Sequence, residues 1–250
     1  MYYWSDEIAP TAGRRGLRWG FTSRQGGASS SPFDGLNLGA ATGDAPEAVE
    51  RNRFDVARSV GVQRERLLFM NQCHGTEVVV VDAPWGDDIP GADGLITTRD
   101  DLALAVLVAD CVPVLLADRA AGVVGAVHAG RPGMTSGIVG RAVETMRSQG
   151  ATEIVAAVGP SVCGRCYEVP ESMRNAAAAV SPVGATVSWS GTPAIDVGAG
   201  VVDQLRGQGV AVTWVAGCSR EDERLFSYRR AGRTGRFAGI VRLLPRRPAR

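Results

Sequence analysis

Five apolar segments in quick succession, Leu67–Met70, Val78–Val81, Leu102–Val108, Val112–Leu116 and Val123–Val127, leave the middle of the chain few ways to fold. Each is too short for a stable helix and dense in the residues that suit a pleated surface. The runs are apolar almost throughout rather than alternating, which predicts strands covered on both faces. Around them the pattern changes. Pro46 early in a first turn, with Asp44 before it as cap, predicts a helix to Val60 that Gly61 stops. Ala48, Val49, Phe54, Ala57 and Val60 form its expected apolar face. Further helices are predicted over Ser136–Arg147, Glu171–Val180 and Asp196–Arg206, with strands at Ile154–Val158, Val210–Val215 and Phe237–Leu243. Residues 20–45, rich in Gly, Ser, Asn and Asp, read as an ordered surface loop.

This irregular order predicts layered α+β packing rather than repeated βαβ units. The 250 residues show no fixed-period repeat and no long linker, and 45% are hydrophobic. One domain is therefore expected, with 1–19 as an N-terminal lead-in and 244–250 as a solvated basic tail. No segment approaches a membrane span, and the first residues lack the basic and apolar regions of a signal peptide. Five cysteines without export signals predict a cytoplasmic protein with reduced thiols.

The formal net charge is +1, so no global field favours nucleic acid or membrane as partner. The chain contains no lysine, and every basic side chain apart from histidine is arginine. Schiff-base, PLP-linked and P-loop lysine chemistry are all excluded. An anion in the site must be held by guanidinium or backbone N–H groups. Arg131, and the Arg229-Arg230 pair beside a Gly-rich turn, are the candidates; a solvated hairpin is the competing reading of the pair.

Two histidines are present, His74 in Gln72-Cys73-His74-Gly75 and His128 in Val127-His128-Ala129-Gly130. Each lies at or just beyond a strand-like segment. Cys111 interrupts two apolar runs beside Asp110, a carboxylate that needs a partner there. Two imidazoles and a thiolate make a set that zinc accepts, leaving a fourth position for substrate. Cys111 and His128 could equally form a nucleophile–base pair, oriented by Asp110 or Asp93. The same atoms serve both readings. Cys163-Gly164-Arg165-Cys166 is a CxxC, read as two thiols in a turn because no second CxxC or further histidine completes a metal set.

These segments, with Ala92-Asp93-Gly94-Leu95-Ile96-Thr97, Ala109-Asp110-Cys111-Val112-Pro113, Gly159-Pro160-Ser161, Cys166-Tyr167-Glu168-Val169 and Phe226-Ser227-Tyr228-Arg229-Arg230, stand in the order found in a known family. Gly26-Gly27-Ala28-Ser29, Leu36-Asn37-Leu38-Gly39 and Asn52-Arg53 fit as well. From about residue 20 to 243 the chain resembles the polyphenol oxidoreductase (laccase-domain) proteins, the YfiH group, also named peptidoglycan editing factors. The resemblance implies a four-layer α/β/β/α sandwich and zinc bound by His74, Cys111 and His128; copper is the other metal to be considered at these donors. It also implies phosphorolysis of adenosine, inosine, guanosine and methylthioadenosine, together with adenosine deamination. The substrates would be a nucleoside and phosphate.

Relatives carry His-Ala-Gly-Trp-Arg-Gly where this chain reads His128-Ala129-Gly130-Arg131-Pro132-Gly133, so Arg131 would supply the charge one position early. For phosphorolysis, arginines would orient phosphate toward the ribose C1′. For deamination, a carboxylate would move protons, with Asp93 and Asp110 as candidates. Two alternatives are a cysteine amidohydrolase editing peptidoglycan precursors, with Cys111 as nucleophile, and a non-enzymatic metal-holding partner of the cell-wall or division machinery.

Overall fold

The computed structural model describes residues 1–86 and 88–245, so the arginines Arg246, Arg247 and Arg250 of the expected basic tail lie outside the described residues. Thirteen strands and six α-helices are formed among the described residues. In chain order they begin with β1 (Tyr2–Ile8), β2 (Gly16–Thr22), α1 (Pro46–Val60), β3 (Leu67–Leu68), β4 (Val78–Val80), β5 (Gly94–Thr97) and β6 (Ala103–Val108). Next come β7 (Val112–Asp118), β8 (Val123–Ala129), α2 (Arg131–Ser136), α3 (Ile138–Ser148), β9 (Val155–Val158) and α4 (Glu171–Val180). The remainder is β10 (Ala185–Val187), β11 (Pro193–Ile195), α5 (Val197–Gly207), β12 (Ala211–Trp214), α6 (Tyr228–Ala231) and β13 (Phe237–Leu244).

Two sheets carry the fold. One has the strand order β1-β2-β13-β6-β3 and the other β12-β9-β7-β8-β5-β4, while β10 and β11 form a small separate ribbon. The period-2 alternation of each strand sorts its side chains between two faces. From β7, Leu115 and Ala117 point between the sheets, where they meet Phe21, Leu104, Val106, Phe237 and Val241 of the first sheet. Val112, Val114 and Leu116 point the other way, onto Ile138, Val139, Val143 and Met146 of α3 and Val201 of α5. On the far face of the first sheet, Ala103, Ala105 and Ile240 pack under Val56, Ala57 and Val60 of α1. The result is the expected α+β, four-layer α/β/β/α sandwich. Strands buried on both faces explain why the runs of the sequence are apolar without interruption.

Several expectations are corrected. The lead-in 1–19 contains β1 and most of β2, paired antiparallel with each other, and β2 pairs in turn with β13. Residues 20–45 are not simply a surface loop: Leu36, Asn37 and Leu38 are buried. Asn37 is a hub there, its side-chain Oδ1 accepting from the Gly39 and Arg236 N–H groups and its side-chain amide N–H groups donating to Thr42 and Asp44. Asp44 is thereby engaged upstream, and Ala45 is the N-cap of α1. The buried stripe of α1 includes Asn52, Arg53 and Val56, while Phe54 is 53% exposed. Asn52 donates to the Ser29 hydroxyl and the Asn37 carbonyl, and the Arg53 guanidinium lies 4.1 Å from the Phe69 ring centre. An apolar-face reading misses such a stripe because its polar members are satisfied by loop backbone that the helix pattern does not reveal. The helix expected over Ser136–Arg147 is α3, and a separate short helix, α2, precedes it. Gly137, at φ 94°, breaks α2 from α3 in a conformation open to glycine.

The exposure difference has a measurable consequence. Leu115→Ala, between the sheets, should cost about 2–5 kcal/mol, whereas Phe54→Ala should change stability by less than about 0.5 kcal/mol. Urea-denaturation midpoints of the two variants test this ordering, and equal losses would contradict the placement of Phe54.

Candidate metal centre

The site forms where the chain passes from one sheet to the other. The connection from β3 to β4 carries His74, and that from β6 to β7 carries Cys111, each joining a strand of the first sheet to one of the second. His128 lies near the end of β8, opposite Pro113. Two crossovers and a strand end thus meet at one edge of the sandwich. The Cys111 Sγ is 3.7 Å from His74 Nε2, and the two imidazole rings stand edge to face with centres 4.7 Å apart. One ligand atom from each of His74, Cys111 and His128 lies within 4.8 Å of the others.

Asp93, just before β5, organises this convergence. It is fully buried and its Oδ1 is 2.7 Å from His128 Nδ1. The same carboxylate accepts from the backbone N–H groups of His74 at 3.0 Å and Gly75 at 2.6 Å, and from the Cys73 thiol at 3.1 Å. Such bonding lets His74 hold φ at 61°, unusual for a residue with a Cβ. Gln72 anchors the preceding turn through paired hydrogen bonds with the Leu107 backbone. With Nδ1 of His128 facing the carboxylate, its Nε2 is left for the centre, the carboxylate–histidine arrangement that supports metal ligation. Gly130 completes the packing: a Cβ there would stand 2.7 Å from the His74 ring and 3.2 Å from the Cys111 sulfur. Donor types, convergence and the outer carboxylate all fit a single soft or borderline metal ion.

The groups also stabilise one another's charged forms. Burial opposes the ionisation of Asp93, but the His128 ring, the Cys73 thiol and the Gly75 N–H outweigh it and hold the carboxyl well below the usual range. Burial pushes the Cys111 thiol up, and the two imidazoles more than reverse this, bringing it down to about 6. Burial disfavours His128 imidazolium, while Asp93 and Cys111 favour it and lift it to about 9.

The centre opens into a cleft of about 670 Å³, within the common range for small-molecule sites. Its walls include Phe69, Met70, Val108, Val162, Tyr167 and Tyr228, and four arginines reach it: Arg53, Arg131, Arg229 and Arg236. The predicted residues are thus only partly united. Arg131 opens α2 on the cleft wall and has no ion-pair partner among the described residues. Arg229 lies over the Tyr167 ring at 4.9 Å and donates to the Glu168 carbonyl. Arg230 is elsewhere: its guanidinium caps the carbonyls of Ser219, Arg220, Asp222 and Leu225, so it braces a loop instead of clamping phosphate. Asp110 likewise differs from its expected catalytic role. Its carboxylate accepts from Ser219 Oγ at 2.7 Å, Ser227 Oγ at 2.6 Å and the Arg229 N–H at 2.6 Å, tying the 219–229 segment to the crossover. Asp93 is the orienting carboxylate of the two that the sequence offered. In the sequence Arg53 stands out only as part of the Asn52-Arg53 motif, and Arg236 only within the Gly-rich turn that follows the Arg229-Arg230 pair. Their approach to the cleft depends on partners up to 199 residues apart, which no local pattern encodes.

Residues 18–244 match the family model described as multi-copper polyphenol oxidoreductase laccase, and the chain belongs to that family. Over 232 residues it is 54% identical to purine nucleoside phosphorylase SCO2081 of Streptomyces coelicolor, covering 90% of this chain and 95% of that protein. It is 52% identical to purine nucleoside phosphorylase ORF3 of Streptomyces griseus, covering 93% and 96%. Among solved structures, Neisseria meningitidis protein NMB0706 superposes with a TM-score of 0.85 at 31% identity, covering 98% of this chain and all of that one. YlmD from Geobacillus stearothermophilus gives 0.84 at 30% identity, with 94% of each chain covered.

Two measurements test the centre. Alkylation of Cys111 in metal-stripped protein, followed by peptide mass spectrometry, should rise with pH around about 6, where the thiolate forms, and level off by about pH 8. A rise centred near the ordinary thiol value would contradict the role of the two imidazoles. Asp93→Asn should weaken zinc retention against a competing chelator about 10- to 100-fold; unchanged retention would remove Asp93 from the centre.

Proposed function

We propose that the chain is a zinc-dependent purine nucleoside phosphorylase acting on adenosine, inosine, guanosine and methylthioadenosine. The carrying observation is the meeting of His74, Cys111 and His128 at a cleft that four arginines also reach. The relatives named purine nucleoside phosphorylase support an enzyme of this type. His74, Cys111 and His128 would hold the zinc, and copper is the alternative metal that the same donors accept. When bound, the metal supplies Lewis acidity next to the substrate.

The chain's own residues do the positioning. Arg131, whose guanidinium has no ion-pair partner among the described residues, suits one phosphate edge, and Arg229 is the second candidate. Apolar walls and the Tyr167 and Tyr228 rings would receive the purine and exclude water from it. A phosphate oxygen then forms a bond to C1′ as the bond from C1′ to the base nitrogen breaks. The base leaves with the electron pair and takes up a proton. Holding phosphate and nucleoside in line accounts for most of such catalysis. Adenosine deamination would use the same cleft with water in place of phosphate.

A specific observation favours a second reading. Cys111, His128 and Asp93 are arranged as nucleophile, base and orienting carboxylate, and the thiol is brought down to about 6. That suits a cysteine amidohydrolase acting on a peptidoglycan precursor, in which the Cys111 sulfur bonds to an amide carbonyl carbon and the amine departs with a proton from His128.

Incubation with adenosine and phosphate should yield adenine and ribose 1-phosphate, and stripping the metal should abolish turnover until zinc is restored. Release of free ribose, or no turnover, would overturn phosphorolysis, while an acyl group trapped on Cys111 would support the amidohydrolase. Arg131→Ala should raise the phosphate KM about 10- to 100-fold, and an unchanged KM would exclude Arg131 from the phosphate site.

A further inference from the structure

The CxxC that stood without partners in the sequence acquires two in the fold. Cys163 and Cys166 lie on the turn after β9, and Cys218 and Glu221 on the turn after β12. Parallel pairing of β9 with β12 brings the two turns side by side, and it continues into a bridge between Ser161 and Cys218. One donor atom from each of Cys163, Cys166, Cys218 and Glu221 lies within 4.8 Å of the others. We propose that these four residues form a second, structural zinc site, distinct from the centre at His74, Cys111 and His128.

The geometry suits a tetrahedral ion. Zinc–sulfur bonds of about 2.3 Å put neighbouring sulfurs about 3.8 Å apart, a spacing the observed cluster reaches with small side-chain adjustments. Cys166 Sγ already stands 3.2 Å from Glu221 Oε1. Three thiolates select zinc over magnesium or calcium, which prefer all-oxygen shells. Four protein donors leave no open position, the mark of a structural rather than catalytic ion.

The surroundings are those of a ligand shell. The Trp189 indole N–H donates to Glu221 Oε1 at 3.0 Å, and the Cys163 backbone N–H donates to the Cys218 sulfur at 3.4 Å. Three thiolates and a carboxylate leave a bound zinc with excess negative charge. Arg220 donates to the Cys166 carbonyl, and Arg165 sits over the Trp189 ring, so two guanidinium groups are at hand to balance it. Gly164 fits the CxxC turn against the fold: a Cβ there would lie 2.7 Å from both Asp196 and Thr186 side-chain atoms.

The site would pin the turn bearing Ser219 onto the one leading to Tyr167. Ser219 holds Asp110, next to Cys111, and Tyr167 lines the cleft. A zinc ion here therefore braces the cleft wall without touching substrate.

Metal analysis of the full-length protein, purified under reducing conditions, tests this. Wild type should carry about two zinc ions per chain, and Cys163→Ser/Cys218→Ser about one. His74→Ala should also carry about one, so loss of the first centre and loss of the second are separately visible. Cobalt(II) loaded into His74→Ala should give intense thiolate charge-transfer bands that vanish when Cys163→Ser and Cys218→Ser are added. Should the double cysteine variant fold poorly, Trp189→Phe at the exposed indole keeps every ligand and should weaken retention of one zinc about 10- to 100-fold. The proposal is overturned if zinc content is the same with and without Cys163 and Cys218, if Trp189→Phe leaves retention of both ions unchanged, or if peptide mapping finds a disulfide among Cys163, Cys166 and Cys218 in place of metal.

Discussion

One buried carboxylate holds the centre together. Asp93 is fully enclosed, and leaving it uncompensated there would cost several kcal/mol. The fold satisfies it with the His128 ring, the Cys73 thiol and the N–H groups of His74 and Gly75. Those bonds orient one imidazole and fix the backbone that presents the other. They also hold the β3–β4 connection against the start of β5, which closes one wall of the cleft. Without them the His128 ring and the backbone that carries His74 would lose the bonds that aim them at the centre.

The sandwich explains why the convergence falls at this edge. A chain that must fill two facing sheets has to cross between them, and the crossings are where regular pairing lapses and side chains are released toward solvent. Cys111 and His74 occupy two such crossings, and β8 delivers His128 between them. Asp110, at φ 103° on one crossing, is held by Ser219, Ser227 and the Arg229 N–H, so the wall opposite Asp93 is tied down by a second carboxylate. The two acids share a chemistry and divide the work: one orients an imidazole, the other orders a loop.

Much of the fold was legible because burial on both faces leaves a continuous apolar record in the sequence. β6, β7, β8, β9 and β13 could be placed from that record alone. β1 was not legible, since its residues are exposed or half-exposed and its pairing partner supplies the stabilisation. The polar stripe of α1 escaped for a related reason: Asn52 and Arg53 are buried by virtue of loop carbonyls that a periodicity count cannot see. Of the site, residue types were legible and roles were not. His74, Cys111 and His128 stood out through motif resemblance, whereas the choice of Asp93 over Asp110 and the loop-bracing task of Arg230 are matters of aim and distance.

By itself the sequence determined a strand-rich interior covered on both faces, the exclusion of lysine chemistry and the supply of soft and nitrogen donors. Apolar continuity, residue absence and residue identity are local properties, and each is complete in the chain as written. Which donors meet was decided by tertiary structure alone. Cys166 and Glu221 are 55 positions apart, as are Cys163 and Cys218, while Asp93 and His128 are 35 apart. Each pair is joined by the registry of strands, and registry is settled by how whole sheets pack rather than by any segment's own preference.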